Sequence, residues 1–163
     1  MYLMYLEFEK YLREVKPTLG NCKRDESLNV EILPSTYSTE EDYRVKHELH
    51  TEIFKPNYDV DSHLKNLVLS IESETGIGFV INVDNNPVGS VDVEIVNDFI
   101  YILNLGLIDN YRGKGLSKIL LTSCIDFVIE KHSEKFKGIF LLVKKDNFIA
   151  KNLYESIGFE IKI

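Results

Sequence analysis

Residues 104–121 read NLGLIDNYRGKGLSKILL, the stretch on which the interpretation of the whole chain depends. An apolar, strand-like run stops, two glycines bracket a lysine, and an apolar helical pattern begins at once. The first amides of a helix lack partners and the helix dipole is positive there, so such a turn attracts anions. Gly113 and Gly115 let the backbone approach a ligand closely. Cations in the same turn are Arg112, Lys114 and Lys118. We therefore predict a pyrophosphate-binding turn; the simpler alternative is an ordinary strand-to-helix turn with exposed basic side chains.

The pattern on either side of this turn predicts a mixed α/β domain. Residues 78–108 contain three strand-like runs separated by turn signals, which indicates an antiparallel meander. Helices are predicted over about 1–15, 39–50, 117–132 and 149–157, with another that ends near residue 73. Further strands are predicted over 28–33, 138–143 and 159–163, and residues 16–27 read as a linker. The order favours a mixed sheet with helices on its faces rather than a regular βαβ alternation.

Two familiar phosphate-binding loops do not fit the turn. A Walker loop needs four residues between its first glycine and a Gly-Lys-Ser/Thr ending, and this turn has no such span. A dinucleotide-binding fingerprint needs a third glycine where Lys118 stands, and it expects a regular βαβ unit.

A third pattern does fit. Residues 112–117, RGKGLS, resemble the Arg/Gln-x-x-Gly-x-Gly/Ala signature of the GCN5-related N-acetyltransferase (GNAT) superfamily. Upstream, NLGL at 104–107 and DNYR at 109–112 look like that family's strand running into its pyrophosphate loop. Downstream, seven residues match its N-x-x-A-x-x-L-Y-E-x-x-G-F block: Asn147, Ala150, Leu153, Tyr154, Glu155, Gly158 and Phe159. The detailed resemblance covers residues 100–159, and the order of elements extends it back to about residue 28.

The resemblance implies a fold class and a division of the chain. The fold is a GNAT-like mixed α/β fold, with a mostly antiparallel central sheet that splays between its fourth and fifth strands and helices on both faces. Residues 28–163 would form the acetyltransferase domain. Residues 1–27 lie outside the resemblance and are predicted to form an N-terminal amphipathic helix and linker.

The resemblance also implies acetyl-CoA as the co-substrate. Its pantetheine arm would enter the gap between the splayed strands and pair with the backbone of Leu105 and Leu107. Amides of residues 113–118 would hold the pyrophosphate, and Asn147 would contact the arm from the other side. The residues that would bind the cofactor are Leu105, Gly106, Leu107, Arg112, Gly113, Lys114, Gly115, Leu116, Ser117, Lys118 and Asn147.

The implied reaction is direct attack of a primary amine on the acetyl thioester in a ternary complex. It needs a neutral amine, stabilisation of charge at the carbonyl oxygen and a proton for the departing thiolate. By resemblance, Tyr154 supplies that proton; with ordinary pKa values of ~10 for a phenol and ~8.5 for a thiol, full transfer is uphill by about 2 kcal/mol. A backbone amide near Leu107 could receive the carbonyl oxygen.

The general base is not identified by the sequence. Some relatives carry a glutamate on the fifth strand, where Leu142 stands here. Asp92, Glu94, or Asn104 acting through a water are candidates, and each is equally explained as a solvated or structural residue. The loop that shapes the acceptor site in relatives contains Tyr58, Asp59 and Asp61, which would suit a cation but are also ordinary loop residues.

Two departures from the family pattern affect the expectations. Ser117 stands where relatives have Gly or Ala; because serine is small and often caps a helix, we expect cofactor binding to survive. The sequence also ends straight after the sixth strand of the family pattern, whereas most relatives continue into a seventh. Either the sheet is short, or another segment or subunit covers its edge. The N-terminal helix is a candidate cover, or a surface for a homodimer, unless it simply packs on its own domain.

Composition narrows the partners. With 19 basic and 26 acidic residues the net charge is −7, which disfavours nucleic acid and suits a cationic substrate, a small-molecule amine or a peptide amine. No apolar run approaches the ~20 residues of a membrane span, and the N-terminus lacks the features of a secretory signal. Cys22 and Cys124 are far apart and form no disulfide framework, and Cys124 falls in an apolar helical pattern that indicates a buried thiol. These features predict a cytoplasmic protein.

The histidines give no metal site in this interpretation. His47 and His50 are three residues apart, one fewer than in a zinc-protease motif, and no third ligand is apparent. His63 and His132 are predicted at the surface. The competing functional hypothesis is a catalytically inactive acyl-CoA-binding sensor or interaction module that keeps the cofactor cleft without turnover.

Overall fold

The computed structural model describes residues 1–21, 26–35 and 37–163, so Cys22 and part of the predicted linker lie outside the described residues. The described strands are β1 (Tyr2–Glu7), β2 (Val30–Ser35), β3 (Gly76–Val83), β4 (Asn86–Val96), β5 (Phe99–Leu107), β6 (Gly138–Val143) and β7 (Glu160–Ile161). The described α-helices are α1 (Phe8–Lys10), α2 (Glu40–Phe54), α3 (Val60–Glu72), α4 (Leu116–His132) and α5 (Phe148–Ile157). After α1 the chain continues as a π-helical turn, Tyr11–Val15, and a 3-10 turn, Lys16–Asn21.

The strands form one sheet in the order β2-β3-β4-β5-β6-β1-β7. Strands β3 to β5 are the antiparallel meander predicted from the sequence. Strand β2 pairs antiparallel with β3, and β5 pairs with β6 in parallel. The tight turns fall where the turn signals stand, because Asp84, Asn85, Asn97 and Asp98 all have positive φ, which Asn and Asp tolerate best after glycine. The mixed, mostly antiparallel sheet with helices on both faces confirms the predicted fold class.

The sheet splays between β5 and β6. Within the described part of the chain these strands pair at only two positions, Tyr101 with Phe140 and Ile102 with Leu141. Beyond them β5 carries a bulge, because its register against β4 shifts between Ser90 and Asp92 and places an extra residue near Asn104. The last residues of β5 therefore present a backbone edge that β6 does not cover.

The N-terminal segment differs from the helix predicted from the sequence. A helix over residues 1–15 is wrong for residues 2–7, which form β1 between β6 and β7. Met4 and Leu6 also fit a period of two and are fully buried, and pairing with two neighbouring strands outweighs the local helical pattern. Met4 and Leu6 thus pack into the chain's own core, whereas Tyr2, Leu3 and Tyr5 of β1 are only partly buried.

This strand also answers the question of the short C-terminal end. The strand β7 has only two paired residues, but the backbone continues to pair with β1: Leu3 N donates to Ile163 O at 3.0 Å, and Lys162 N to Leu3 O at 2.9 Å. A side-chain ion pair between Lys10 and Glu160 closes the same corner. The N-terminal segment thus supplies the seventh strand of the sheet.

The two faces of the sheet differ in character. On one face, α4 packs over a continuous apolar core that includes Val91, Val93, Leu120 and Leu121, all buried. Cys124 lies in the same core and is fully buried, and burial raises the pKa of its thiol, as expected for an inert cysteine. On the other face, α2 and α3 cover the polar side chains of β4, and this second face adjoins the end of β5.

Candidate active site

A cleft of about 350 Å³ opens between the end of β5, the start of α4 and the first turn of α5. Eight of the twelve residues predicted from the sequence line it: Leu105, Gly106, Leu107, Arg112, Gly113, Ser117, Asn147 and Tyr154. The other four, Lys114, Gly115, Leu116 and Lys118, do not. The structure therefore brings together most of a set that the sequence distributes over fifty residues.

The turn before α4 has the geometry that its glycines allow. Gly113 and Gly115 have φ of 75° and 76°, a left-handed conformation that costs other residues energy. Gly115 is the N-cap of α4, and no side chain caps this helix end. Ser117 lies inside the first turn of α4 and does not cap it. The first backbone amides of α4 are consequently left for a ligand, which is what an anion site at a helix N-terminus requires.

The basic residues of this turn have separate roles. Arg112 ties the turn to the preceding strand, because its Nε donates to the backbone oxygen of Leu107 at 3.1 Å and its Nη1 lies 3.3 Å from Asp109. Leu116 is a core residue, only 1% exposed, so only its backbone can contribute to binding. The cations of Lys114 and Lys118 stand outside the cleft.

The end of α2 closes one side of the cleft, and sequence reasoning missed it. Ile53 and Phe54 line the cleft and pack against Gly106, where an added Cβ would lie 2.3 Å from Ile53 Cγ2. Gly106 is thus needed for the close approach of α2 to β5. The position of Gly106 in the predicted strand does not indicate this contact with Ile53, because the two residues are about fifty positions apart in the sequence.

The first turn of α5 forms the opposite wall. Asn147 is the N-cap of α5, and its side-chain oxygen accepts from the backbone N of Ala150 at 3.2 Å. Ile149, Ala150 and Leu153 also line the cleft, and Ile149 is 88% exposed. The side chain of Asn147 therefore has a structural task as well as a place at the cleft.

Tyr154 is held within the cleft wall. It is 8% exposed, its ring packs at 5.8 Å from that of Phe159, and burial raises its pKa to about 12. Among the described residues no hydrogen-bond partner engages its hydroxyl, so the proton is available to a ligand. At neutral pH the phenol is protonated, as a proton donor must be.

Beneath α2 and α3 lies a buried polar network centred on Asp92. Lys46 Nζ lies 2.9 Å from an Asp92 carboxylate oxygen and 2.9 Å from Ser90 Oγ, and Lys46 and Asp92 are 0% and 1% exposed. Tyr37 and Asn104 each donate a further hydrogen bond to the same carboxylate. Asp92 is therefore fully engaged in holding the helices on the sheet, which argues against its role as the general base.

Other titratable residues are placed as follows. Glu94 is half-buried, accepts a hydrogen bond from Ser70 at 3.2 Å, and burial raises the pKa of its carboxyl. Leu142 is 53% exposed on β6 and contributes no carboxylate.

His63, predicted at the surface, is instead half-buried and packs against His50. Tertiary contacts of α3 with β5, which local pattern does not reveal, cause this difference.

Within residues 1–21, 26–35 and 37–163, no group of three or more His, Cys, Asp or Glu side chains is placed to hold a metal ion. Over the same residues, no helix is both long and apolar enough to cross a membrane.

A matched pair of glycine variants isolates the conformational demand of the turn. An added Cβ would meet nothing within 4 Å at Gly113 or at Gly20, but only Gly113 has a left-handed φ. We expect Gly113→Ala to cost about 1–2 kcal/mol of free energy of unfolding or to distort the turn and weaken acetyl-CoA binding about tenfold. Gly20→Ala should leave binding unchanged. Urea unfolding and calorimetric titration check both, and equal behaviour of the two variants would contradict a strained turn.

A family model described as the acetyltransferase (GNAT) family matches residues 36–159 of the chain. A mycothiol acetyltransferase of Corynebacterium aurimucosum is 40% identical over 57 residues, which are 35% of this chain and 18% of that protein. The chain thus covers about a fifth of the length of that relative.

Several solved structures share the fold. An aminoglycoside N-acetyltransferase, AAC(6')-Iy, in complex with CoA has a TM-score of 0.67 and 16% identity, covering 82% of this chain and 89% of the other. PaiA N-acetyltransferase of Thermoplasma acidophilum, in complex with coenzyme A, has a TM-score of 0.63 and 20% identity, with 81% and 90% covered. The ribosomal-protein-S18-alanine N-acetyltransferase of Escherichia coli has a TM-score of 0.62 and 18% identity, with 80% and 76% covered.

Proposed function

The chain belongs to the acetyltransferase (GNAT) family, and on that premise we propose that it transfers the acetyl group of acetyl-CoA to a primary amine. The observation that carries the proposal is the cleft itself. It begins at the uncovered edge of β5 and ends at the uncapped N-terminus of α4, and Tyr154 stands in its wall.

The residues of the cleft suit acetyl-CoA. The backbone edge of residues 105–107 can pair with the amide groups of an extended pantetheine arm, and Gly106 keeps that edge close to α2. The backbone amides after Gly115 can hold the pyrophosphate. The apolar wall of Ile53, Leu107 and Leu153 can enclose the arm. Acetyl-CoA supplies an activated acyl group as a thioester.

The chain's own residues would then perform three tasks. The cleft orients the two reactants, and the backbone amide near Leu107 can receive the carbonyl oxygen. Tyr154 donates a proton to the leaving sulfur as the carbon–sulfur bond breaks. Because the phenol is buried among apolar groups, bulk water does not replace it as the proton donor at that step.

The acceptor is a primary amine, of a small molecule or of a peptide. The structures that share this fold include enzymes named for aminoglycosides and for the alanine of a ribosomal protein, so both classes belong in the test. The net charge of −7 favours acceptors that carry positive charge.

The proposal is tested by release of free coenzyme A. Purified protein is titrated with acetyl-CoA by calorimetry, and thiol release is then followed with an aminoglycoside, a peptide beginning with alanine, and 1,4-diaminobutane. We expect binding and amine-dependent release with at least one of them. Binding without release from any amine would favour the alternative of an inactive acyl-CoA-binding module, which the exposed Leu142 in place of a carboxylate supports. Absence of binding would overturn both.

A further inference from the structure

Four rings pack together beside the cleft, and no step of the proposed reaction yet uses them. We define the ring cluster as His50, Phe54, Tyr58 and His63. The His50 ring centroid lies 4.8 Å from that of Phe54, 6.0 Å from Tyr58 and 4.7 Å from His63. Phe54 belongs to the cleft wall, so the cluster continues that wall away from α4.

The ring cluster is reachable from solvent. Tyr58 is 48% exposed and Phe54 38% exposed, whereas His50 is fully buried behind them. Aromatic faces attract an ammonium group through their quadrupoles. The exposed rings of Tyr58 and Phe54 can therefore contact an ammonium group.

Asn104 joins the ring cluster to the cofactor edge of β5. It occupies the bulge with a φ of 52°, a left-handed conformation that Asn tolerates, and it directly precedes Leu105 of the cleft. Its side-chain nitrogen donates to the Asp92 carboxylate at 2.9 Å and lies 3.3 Å from His63 Nε2. The bulge thus turns this amide toward the rings of α2 and α3.

These contacts fix which atom of His63 can take a proton. Because Asn104 Nδ2 donates to a carboxylate, it is a donor toward His63 as well, so His63 Nε2 acts as an acceptor with a lone pair. The 3.3 Å contact is long for a hydrogen bond, so an arriving amine can compete for that lone pair. Asn104 Oδ1 accepts no hydrogen bond from the residues described and can take one from the amine.

The surroundings do not place an unpaired cation at this point. Burial, with the neighbouring His63 and Lys46, lowers the pKa of His50 to about 4, so His50 is neutral at physiological pH. The charge of Lys46 is compensated by Asp92. Other titratable groups near the ring cluster are His47 of α2, whose Nε2 lies 3.5 Å from the Asp61 carboxylate of α3, and Glu94 of β4. An ammonium group would therefore not be repelled.

His50 adds an independent sign of a ligand. Its Nε2 is 2.7 Å from the hydroxyl of Tyr58, but its Nδ1 is buried and has no hydrogen-bond partner among the described residues. Buried polar atoms are rarely left without a partner, and exceptions tend to occur at functional sites or where a water or ligand binds.

Resting on the proposed function, we propose that the ring cluster and Asn104 bind the acceptor as a primary ammonium group and that His63 Nε2 is the base that removes its proton. The sequence offered Asp92, Glu94 and Asn104 acting through a water as candidates; in the structure Asp92 pairs with Lys46 and Glu94 accepts a hydrogen bond from Ser70. Asn104 is a positioning residue in this scheme: its oxygen orients the amine and its nitrogen holds His63.

The transfer balances in protons and electron pairs. His63 takes one proton from the ammonium, and the freed nitrogen lone pair forms the new bond to the acetyl carbon. The carbon–sulfur bond breaks, its electron pair leaves with sulfur, and sulfur takes the proton of Tyr154. The second proton lost by nitrogen restores Tyr154 through water, and His63 returns its proton to solvent.

The test is a His63→Gln variant, with His132→Gln as the matched control, because His132 lies at the end of α4 and outside the cleft. The amine is the panel member that gives the fastest thiol release with the unchanged protein. At pH 7 we expect kcat/KM of His63→Gln to fall about 100-fold, within the range for general bases. Acetyl-CoA affinity and the thermal midpoint should stay as in the control.

The pH dependence separates a base from a structural residue. Without His63 only amine that is already neutral can react, so the deficit should shrink as the pH rises past the pKa of the amine. A deficit that is the same at every pH, or no deficit, would overturn the proposal for His63 while leaving the acetyltransferase activity established. An unchanged protein that releases no thiol with any amine would instead overturn the proposed function. Asn104→Ala should raise KM for the amine more than it lowers kcat.

Discussion

A Tyr154→Phe variant should retain its affinity for acetyl-CoA while its kcat falls by about 10²–10⁴-fold, the usual contribution of a positioned general acid. The substitution removes one hydroxyl and keeps the ring of Tyr154, which is 8% exposed and packs on Phe159. The core contact and the shape of the cleft are therefore preserved. Only the proton for the leaving sulfur is lost.

The pKa of Tyr154 determines how that proton can move. Burial raises it to about 12, whereas a free thiol has a pKa of ~8.5, so complete transfer to sulfur before bond cleavage would cost about 5 kcal/mol. The proton is therefore expected to move together with the breaking of the carbon–sulfur bond. The same raised pKa keeps the phenol protonated well into the alkaline range, so activity should not decline there through loss of this acid.

A control variant distinguishes this role from a general effect of removing a phenol. Tyr5 lies on β1, is not among the residues that line the cleft, and packs on Phe140 with ring centroids 4.6 Å apart. Tyr5→Phe should leave kcat and calorimetric affinity unchanged. If Tyr154→Phe turned over at the normal rate, the acid would have to be another group or a water molecule.

A Lys46→Met variant should lose about 3–5 kcal/mol of free energy of unfolding, the cost of leaving a buried carboxylate without its ionic partner. Lys46 and Asp92 are both almost fully buried, and Lys46 also contacts Ser90. Methionine has a similar length and apolar stem, so the volume is kept while the charge is removed. Urea unfolding followed by circular dichroism measures the change.

The same helix offers the matched control. Arg44 lies two residues earlier on α2 and pairs with Glu41 and Glu48, but all three side chains are exposed. Arg44→Met should therefore leave the unfolding midpoint nearly unchanged. A double variant, Lys46→Met with Asp92→Leu, should recover only part of the loss, because it removes both buried charges but leaves Tyr37 and Asn104 without their acceptor. Equal destabilisation by Lys46→Met and Arg44→Met would show that the buried pair contributes no more to the free energy of unfolding than the exposed ion pairs do.

Much of the cleft could be predicted from the sequence, because its determinants are local. Gly113 and Gly115 indicate a left-handed turn, and the apolar run after them predicts α4. The block around Tyr154 predicts α5. Each of these elements forms from neighbouring residues, and the family resemblance then gives their arrangement. The meander was predictable for the same reason, because Asn and Asp residues mark its turns.

The remaining features depend on contacts between distant residues. Residues 2–7 carry apolar side chains that satisfy both a helical and an extended spacing, and only pairing with β6 decides between them. The sequence predicts His63 at the surface, and only the contact between α3 and Asn104 of β5 makes it half-buried. The burial of Asp92 requires Lys46 and Tyr37 to arrive from α2 and the loop before it. None of these pairings has a local signal in the sequence.

The position of β1 has a consequence for synthesis on the ribosome. Tyr2 pairs with Val143, so roughly 140 further residues must be added before the first strand can find its partner. At about 5–20 residues per second, that interval lasts about 7–28 s. Throughout it Met4 and Leu6 remain without the core that finally buries them. Until β6 has been synthesised, β1 therefore has no neighbouring strand to pair with, and its apolar side chains stay exposed to solvent.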